Sequence, residues 1–148
     1  MGYTNYWNQH KDFSKKEWNT LVNHSNKMIN FFRKELDIET LSSMSDSSIY
    51  INGIKELGHE DFVFTRSKRN ILGYEDLEAY EKEGAFNFCK TLEKPYDSLI
   101  WNILLKAYSI APAKISISNG HGKKHGLQKR NIKELAKLGN LWYTNSIK

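Results

Sequence analysis

The chain has 148 residues, of which 39% are hydrophobic and 13% aromatic, and a net charge of +5. That is one domain's length with enough apolar material for a real core, which excludes a disordered polypeptide. One cysteine excludes an internal disulfide, and no apolar run approaches the ~20 residues of a membrane span.

The opening Met-Gly-Tyr-Thr-Asn-Tyr-Trp has no basic region followed by an apolar one, so it does not read as a signal peptide. A cytoplasmic protein without a membrane partner is the expectation, in the host cell if the chain is phage-encoded. The charge is uneven. Residues 120–148 carry seven Lys and Arg against Glu134, a net of +6, and the other 119 residues sum to −1. Such a field attracts nucleic acid or a phosphorylated small molecule, or is simply a solvated helix face.

Tyr3 to Trp7 predicts a short strand, with Thr4 and Tyr6 on one face and Tyr3, Asn5 and Trp7 on the other. One face should pack and the other is open to function. Phe13 to Leu36 predicts a long helix. Ser14 and Glu17 have the spacing of a capping box, Phe13 and Trp18 that of a hydrophobic staple, and an apolar stripe follows at helical spacing. Asp37 to Ser48 is polar and serine-rich and reads as a loop within the domain.

Ser48–Asn52 and Asp61–Arg66 predict two strands, which Gly53 and Gly58 allow to reverse into an antiparallel pair. His59, Glu60 and Asp61 fall at the turn. Three adjacent side chains rarely converge on one metal, so no metal is expected there. Ser67 to Gly73 is a basic loop, Glu75 to Glu83 a short acidic helix, and Ala85 to Thr91 a further strand. Cys89, between Phe88 and Lys90, reads as a buried structural thiol and not a nucleophile.

Pro95 fits a helix's first turn. From Tyr96 to Tyr108 apolar residues lie on most sides, which predicts the central buried helix, stopped by Pro112. Ala113 to Asn119 alternates as a strand. Gly120 to Gly126 is a basic glycine loop, Leu127 to Leu138 a last helix, and Leu141, Trp142 and Tyr143 return to the core. The whole is expected to be a single α+β domain over 1–148, with a small, mostly antiparallel sheet packed against two or three helices.

The elbow between the Ala85 strand and the central helix is the richest in chemistry. Lys90 and Lys94 are cations close to a helix start, and Thr91 adds a hydroxyl, a set suited to phosphate. Asp97 either favours the helix dipole or accepts from a ribose hydroxyl or base amine. Tyr96 stacks on a ligand or packs. Thr4, Tyr6 and Trp7 complete a candidate site if the first strand lies beside the elbow. His121, in the glycine loop, is a further ligand contact; with Asp97 it would be the acid–base pair of an enzyme. The His121–His125 spacing is interrupted by glycines, and no P-loop or Gly-x-Ser-x-Gly pattern is present. The enzyme reading is therefore the minor one, and neither cofactor nor metal is expected.

Two stretches carry a resemblance. Gly2-Tyr3-Thr4-Asn5-Tyr6-Trp7 resembles the Gly-Tyr-Thr-x-Tyr-Trp start of a family of small phage and bacterial proteins. Phe88-Cys-Lys-Thr-Leu-Glu-Lys-Pro-Tyr-Asp97 resembles that family's Phe-Cys-Lys-Thr-x-x-Lys-Pro-Tyr-Asp segment. Ile115–Gly120 is similar to its less specific Val-Ser-Ser-Asp-Gly segment, with Asn119 in place of Asp. The resemblance implies a shared fold and, through the phage association, a counter-defence role: capture or degradation of a nucleotide immune signal.

The sequence thus leads to a binder of a phosphorylated small molecule, a nucleotide, contacted by Lys90, Thr91, Lys94, Tyr96 and Asp97. A sequestering protein of this kind is expected to be a homo-oligomer. The alternatives are a nuclease or cyclic-nucleotide phosphodiesterase, and a nucleic-acid-binding module using residues 123–137.

Overall fold

The structure, a computed structural model, describes residues 3–68, 78–80, 82 and 84–120. Its elements in order are β1 (Thr4–Gln9), α1 (Lys15–Glu35), β2 (Thr40–Met44), β3 (Ser48–Gly53), β4 (Phe62–Thr65), β5 (Ala85–Lys90), α2 (Asp97–Ile110) and β6 (Ile115–Asn119). The fold is α+β. The strands are divided between two antiparallel sheets, ordered β5-β1-β6 and β2-β3-β4.

Local chemistry sets the helices. Ser14 Oγ accepts from the Glu17 N–H at 3.1 Å, and Glu17 Oε1 accepts from the Ser14 N–H at 2.8 Å. This is the reciprocal capping expected, and it starts α1. Trp18, Leu21, Met28 and Phe32 form the buried stripe of α1. In α2 every residue from Leu99 to Leu105 is buried, so it is the central helix. It starts two residues after Pro95, at Asp97.

β2 corrects the expectation of a loop over 37–48. Thr-Leu-Ser-Ser-Met has no apolar alternation, and its three middle residues are exposed. It is an edge strand held by pairing with β3, from Thr40 opposite Gly53 to Met44 opposite Ile49. The predicted β3–β4 hairpin is present, with Ile49 opposite Phe64 and Ile51 opposite Phe62. At its turn a Cβ on Gly53 would lie 2.1 Å from the Leu57 carbonyl oxygen, so only glycine fits.

The two sheets are tied at both ends of β4. The Glu60 N–H donates to the Lys90 carbonyl at 3.1 Å, and the Lys90 N–H donates to Glu60 Oε1 at 2.8 Å. At the other end Gln9 Nε2 and the Phe13 N–H both donate to the Arg66 carbonyl, at 2.9 and 3.0 Å. One hydrophobic cluster then joins Trp7 of β1, Phe62 and Phe64 of β4, Trp18 of α1 and most of α2. Its aromatic heart is ordered, with Trp18 stacked on Phe64 at 6.0 Å and Trp7 edge-on to Phe62 at 5.2 Å.

The predicted helix over 127–138, the glycine loop after Gly120 and the return of Leu141–Tyr143 lie outside the described residues. Of the stretch 75–83, residues 78–80 and 82 are described, and they are helical. In the expected basic loop over 67–73 only Ser67 and Lys68 are described. Lys68 is 3% exposed, and burial lowers its pKa.

Candidate functional site

The first strand and the elbow do meet. β1 pairs with β5 antiparallel, with Thr4 opposite Lys90, Tyr6 opposite Phe88 and Asn8 opposite Phe86. β6 flanks β1 on its other side, with Ser118 opposite Tyr6 and Ser116 opposite Asn8. Asn5, Trp7, Cys89 and Ile117 face inward, so the same strands present Tyr6, Phe86, Phe88, Ser116 and Ser118 outward.

After β5 the chain reverses in four residues. The Lys94 N–H donates to the Thr91 carbonyl at 3.0 Å, with Leu92 at φ 53° and Glu93 at φ 57°. Positive φ at both central positions is type I′ geometry, which strains side-chain-bearing residues. The Thr91 N–H donates to the Tyr3 carbonyl at 2.9 Å and fastens the turn to the start of β1.

Inside this reversal two buried donors converge on Asp97. Asn5 Nδ2 donates to Asp97 Oδ1 at 2.7 Å, and Thr91 Oγ1 donates to the same oxygen at 2.5 Å. Asn5 and Thr91 are both fully buried. Tyr3 is buried beside them, and its phenol is held un-ionised by that burial and by the charges of Asp97 and Glu93. An anion arriving at the start of α2 would meet these two carboxylates. Asp97 already occupies the favourable end of the helix dipole.

Tyr96 has no exposed surface, and its hydroxyl donates to the Glu60 carbonyl at 2.7 Å. Its ring packs in the core. Thr91, at 0% exposure, likewise presents no side chain to solvent. Thr4 is 6% exposed. Trp7 borders the outer groove described below, but its indole is 2% exposed in the core. Of the predicted contacts, Tyr6, Lys90, Lys94 and Asp97 are not buried, and Asp97 already accepts from Asn5 and Thr91. His121 lies outside the described residues.

Cys89 is fully buried, and its Sγ donates to the Glu60 carbonyl at 3.5 Å. Burial, with the nearby Glu60 charge, pushes the thiol up to about 12. A thiol this basic is protonated at neutral pH and is no nucleophile. Native protein is therefore expected to resist Ellman's reagent for hours and to react within minutes in denaturant. Fast labelling of native protein would show that the β5 edge opens.

What the structure assembles instead is an outer face. Phe86 is 64% exposed and Phe88 44%. Tyr6 and Phe86 stack at 6.0 Å between centroids, and Phe86 and Phe88 lie 6.2 Å apart. The Lys90 ammonium sits 5.9 Å from the centre of the Phe88 ring. Beside this row lies an open groove of about 260 Å³, lined by Tyr6, Asn8, Phe86, Ser116 and Ser118 and the strand edges at Trp7 and Ile117. Ser116 Oγ is within 3.2 Å of His10 Nε2. Large exposed rings clustered beside a cation and hydroxyls are unusual on a protein surface.

Sequence reasoning missed Phe86 and Phe88 as surface residues, since alternating phenylalanines normally face a core. The signal was Lys90. It is two residues on from Phe88, so it shares their face, and a lysine is rarely in phase with a core row.

His59, Glu60 and Asp61 do not converge. Glu60 is bound to Lys90, and Asp61 accepts from Tyr50 Oη and Asn52 Nδ2 at 3.1 and 2.7 Å. Among the described residues no three His, Cys, Asp or Glu side chains group to hold a metal, and no helix is long and apolar enough to cross a membrane. Comparison of the chain with protein-family models, curated proteins and solved structures finds no match.

Proposed function

We propose that this chain is a binding protein that captures a phosphorylated small molecule with a planar base, a nucleotide, on the outer face of the β5-β1-β6 sheet. The observation that carries this reading is the row of rings Tyr6, Phe86 and Phe88 ending on Lys90. Rings give a base a stacking surface, the ammonium meets a phosphate, and the serines and Asn8 offer hydrogen bonds to a base edge. The site differs from the elbow interior expected from sequence, because there Thr91 and Asp97 satisfy each other.

Two observations favour binding over hydrolysis. Cys89 is buried and protonated, and Asp97 is engaged by two buried donors. The resemblance to small phage proteins supplies a setting, the capture of a nucleotide immune signal in the host cytoplasm.

The test is a thermal-shift panel of nucleotides, cyclic dinucleotides and ADP-ribose derivatives. A ligand at 100 times its dissociation constant adds about 2.7 kcal/mol of stability. The shift is expected to be lost in Phe86→Ala and reduced in Lys90→Ala, and the ligand released by denaturation should be chemically intact. A flat panel sinks the proposal, and a cleaved product turns it to the phosphodiesterase.

A further inference from the structure

The outer face has two unlike ends. At one, the Lys90 ammonium stands 5.9 Å from the centre of the Phe88 ring. At the other, His10 Nε2 is 3.2 Å from Ser116 Oγ. The strand register keeps these ends apart. Lys90 is opposite Thr4 of β1 and Ser116 is opposite Asn8, roughly 13 Å further along the strand. Phe86 is also opposite Asn8, and it lines the groove together with Ser116. A nucleotide has the same polarity, with a charged phosphate at one end and the hydrogen-bonding edge of a neutral base at the other. Charge complementarity sets the phosphate on Lys90. The base then lies on Phe86, and its edge meets Ser116.

His10 decides what that edge meets. A serine hydroxyl that turns freely pairs equally well with a donor or an acceptor. Ser116 is tethered: its Oγ either gives its proton to His10 Nε2 or accepts the ring's. In the first case it turns lone pairs to the groove, and in the second its proton. The imidazole is itself held. The His10 N–H donates to the Lys114 carbonyl at 2.7 Å. Gly84 lies against the ring, where a Cβ would come within 2.8 Å of Nδ1. Position 84 continues the alternation of Phe86 and Phe88, so the lack of a side chain there leaves room for the imidazole at the end of the groove.

Resting on the nucleotide reading, we infer that Ser116 and His10 are the base-reading residues of this site. Ser116 contacts the edge of the single base, and His10 is a positioning residue that fixes the sense of that contact. The site thereby distinguishes a base with an amino group at that edge from one with a carbonyl in the same place.

The experiment measures dissociation constants of the full chain for adenosine and inosine 5′-monophosphates, which exchange an amino group for a carbonyl at one edge, and for the two nucleosides. One base is expected to bind about fivefold or more tighter than the other, the lower value for leaving a polar group unpaired. The nucleosides should bind more weakly with the same ratio, because the phosphate lies at the other end. Lys90→Ala should weaken both nucleotides together and keep the ratio. Ser116→Ala and His10→Ala should each bring the ratio below about twofold, and the double variant should match Ser116→Ala, because His10 acts through Ser116. Ser116→Thr keeps the hydroxyl and should restore the preference. Both residues are only half-buried, and unchanged melting temperatures confirm that the variants fold. Equal affinity for the two bases, a preference that survives either alanine, or one that disappears with Lys90 overturns the inference and leaves the nucleotide reading standing. Binding of none of the four also overturns the inference, whereas the nucleotide reading falls only if the whole thermal-shift panel is flat.

Discussion

Asp97→Ala is expected to lower the unfolding free energy by about 3 kcal/mol, because it strands two buried donors at once, each costing about 1–3 kcal/mol without an acceptor. Asn5 Nδ2 and Thr91 Oγ1 both donate to Asp97 Oδ1, and both residues are fully buried. The carboxylate also lies in the first turn of α2, so the alanine removes a favourable dipole contact. Asp97→Asn keeps one acceptor oxygen and should cost less than half as much. Urea denaturation measures both. Mononucleotide affinity, measured where the variant is still folded, should match wild type, since Asp97 is not on the outer face. A loss under 1 kcal/mol would mean that water replaces the carboxylate. A selective loss of affinity at full stability would return the site to the elbow.

Trp7→Ala is expected to cost about 4 kcal/mol, at the upper range for removing a buried aromatic. The indole is 2% exposed, and its ring meets Phe62 at 5.2 Å and Phe64 at 5.9 Å. Phe62 and Phe64 belong to the other sheet, so Trp7 is a main packing contact between the two. Its loss should broaden the near-ultraviolet spectrum as well as lower the melting temperature. Trp7→Phe keeps part of the aromatic contact and should recover at least half the loss. A small effect from Trp7→Ala would mean that the rest of the hydrophobic cluster and the hydrogen bonds at Glu60 and Arg66 hold the two sheets without it.

The parts of the fold legible in the sequence are those decided within a few residues. Ser14 and Glu17 announce the start of α1 because a capping box spans four residues. The run from Leu99 to Leu105 reads as a buried helix because it has no polar side wide enough to face water. Ile115 and Ile117 read as one face of a strand, and the structure buries that face. β2 was not legible: its five residues carry no apolar period, and its existence depends on β3 supplying hydrogen-bond partners.

The candidate site divides the same way. Composition and spacing determined that Lys90, Thr91, Lys94 and Asp97 crowd the end of a strand and the start of a helix. They also determined that Tyr6 shares a face with Thr4 and not with Trp7. Only the tertiary structure decided which of these groups a ligand can reach. Asn5 and Asp97 stand 92 positions apart in sequence, yet a hydrogen bond joins their side chains. The pairing of β5 with β1 brings Asn87 opposite Trp7 and Cys89 opposite Asn5 on the core side. Phe86 and Phe88 are thereby turned to the surface. The period of a strand states which residues share a face; which face meets water is set by what packs behind it.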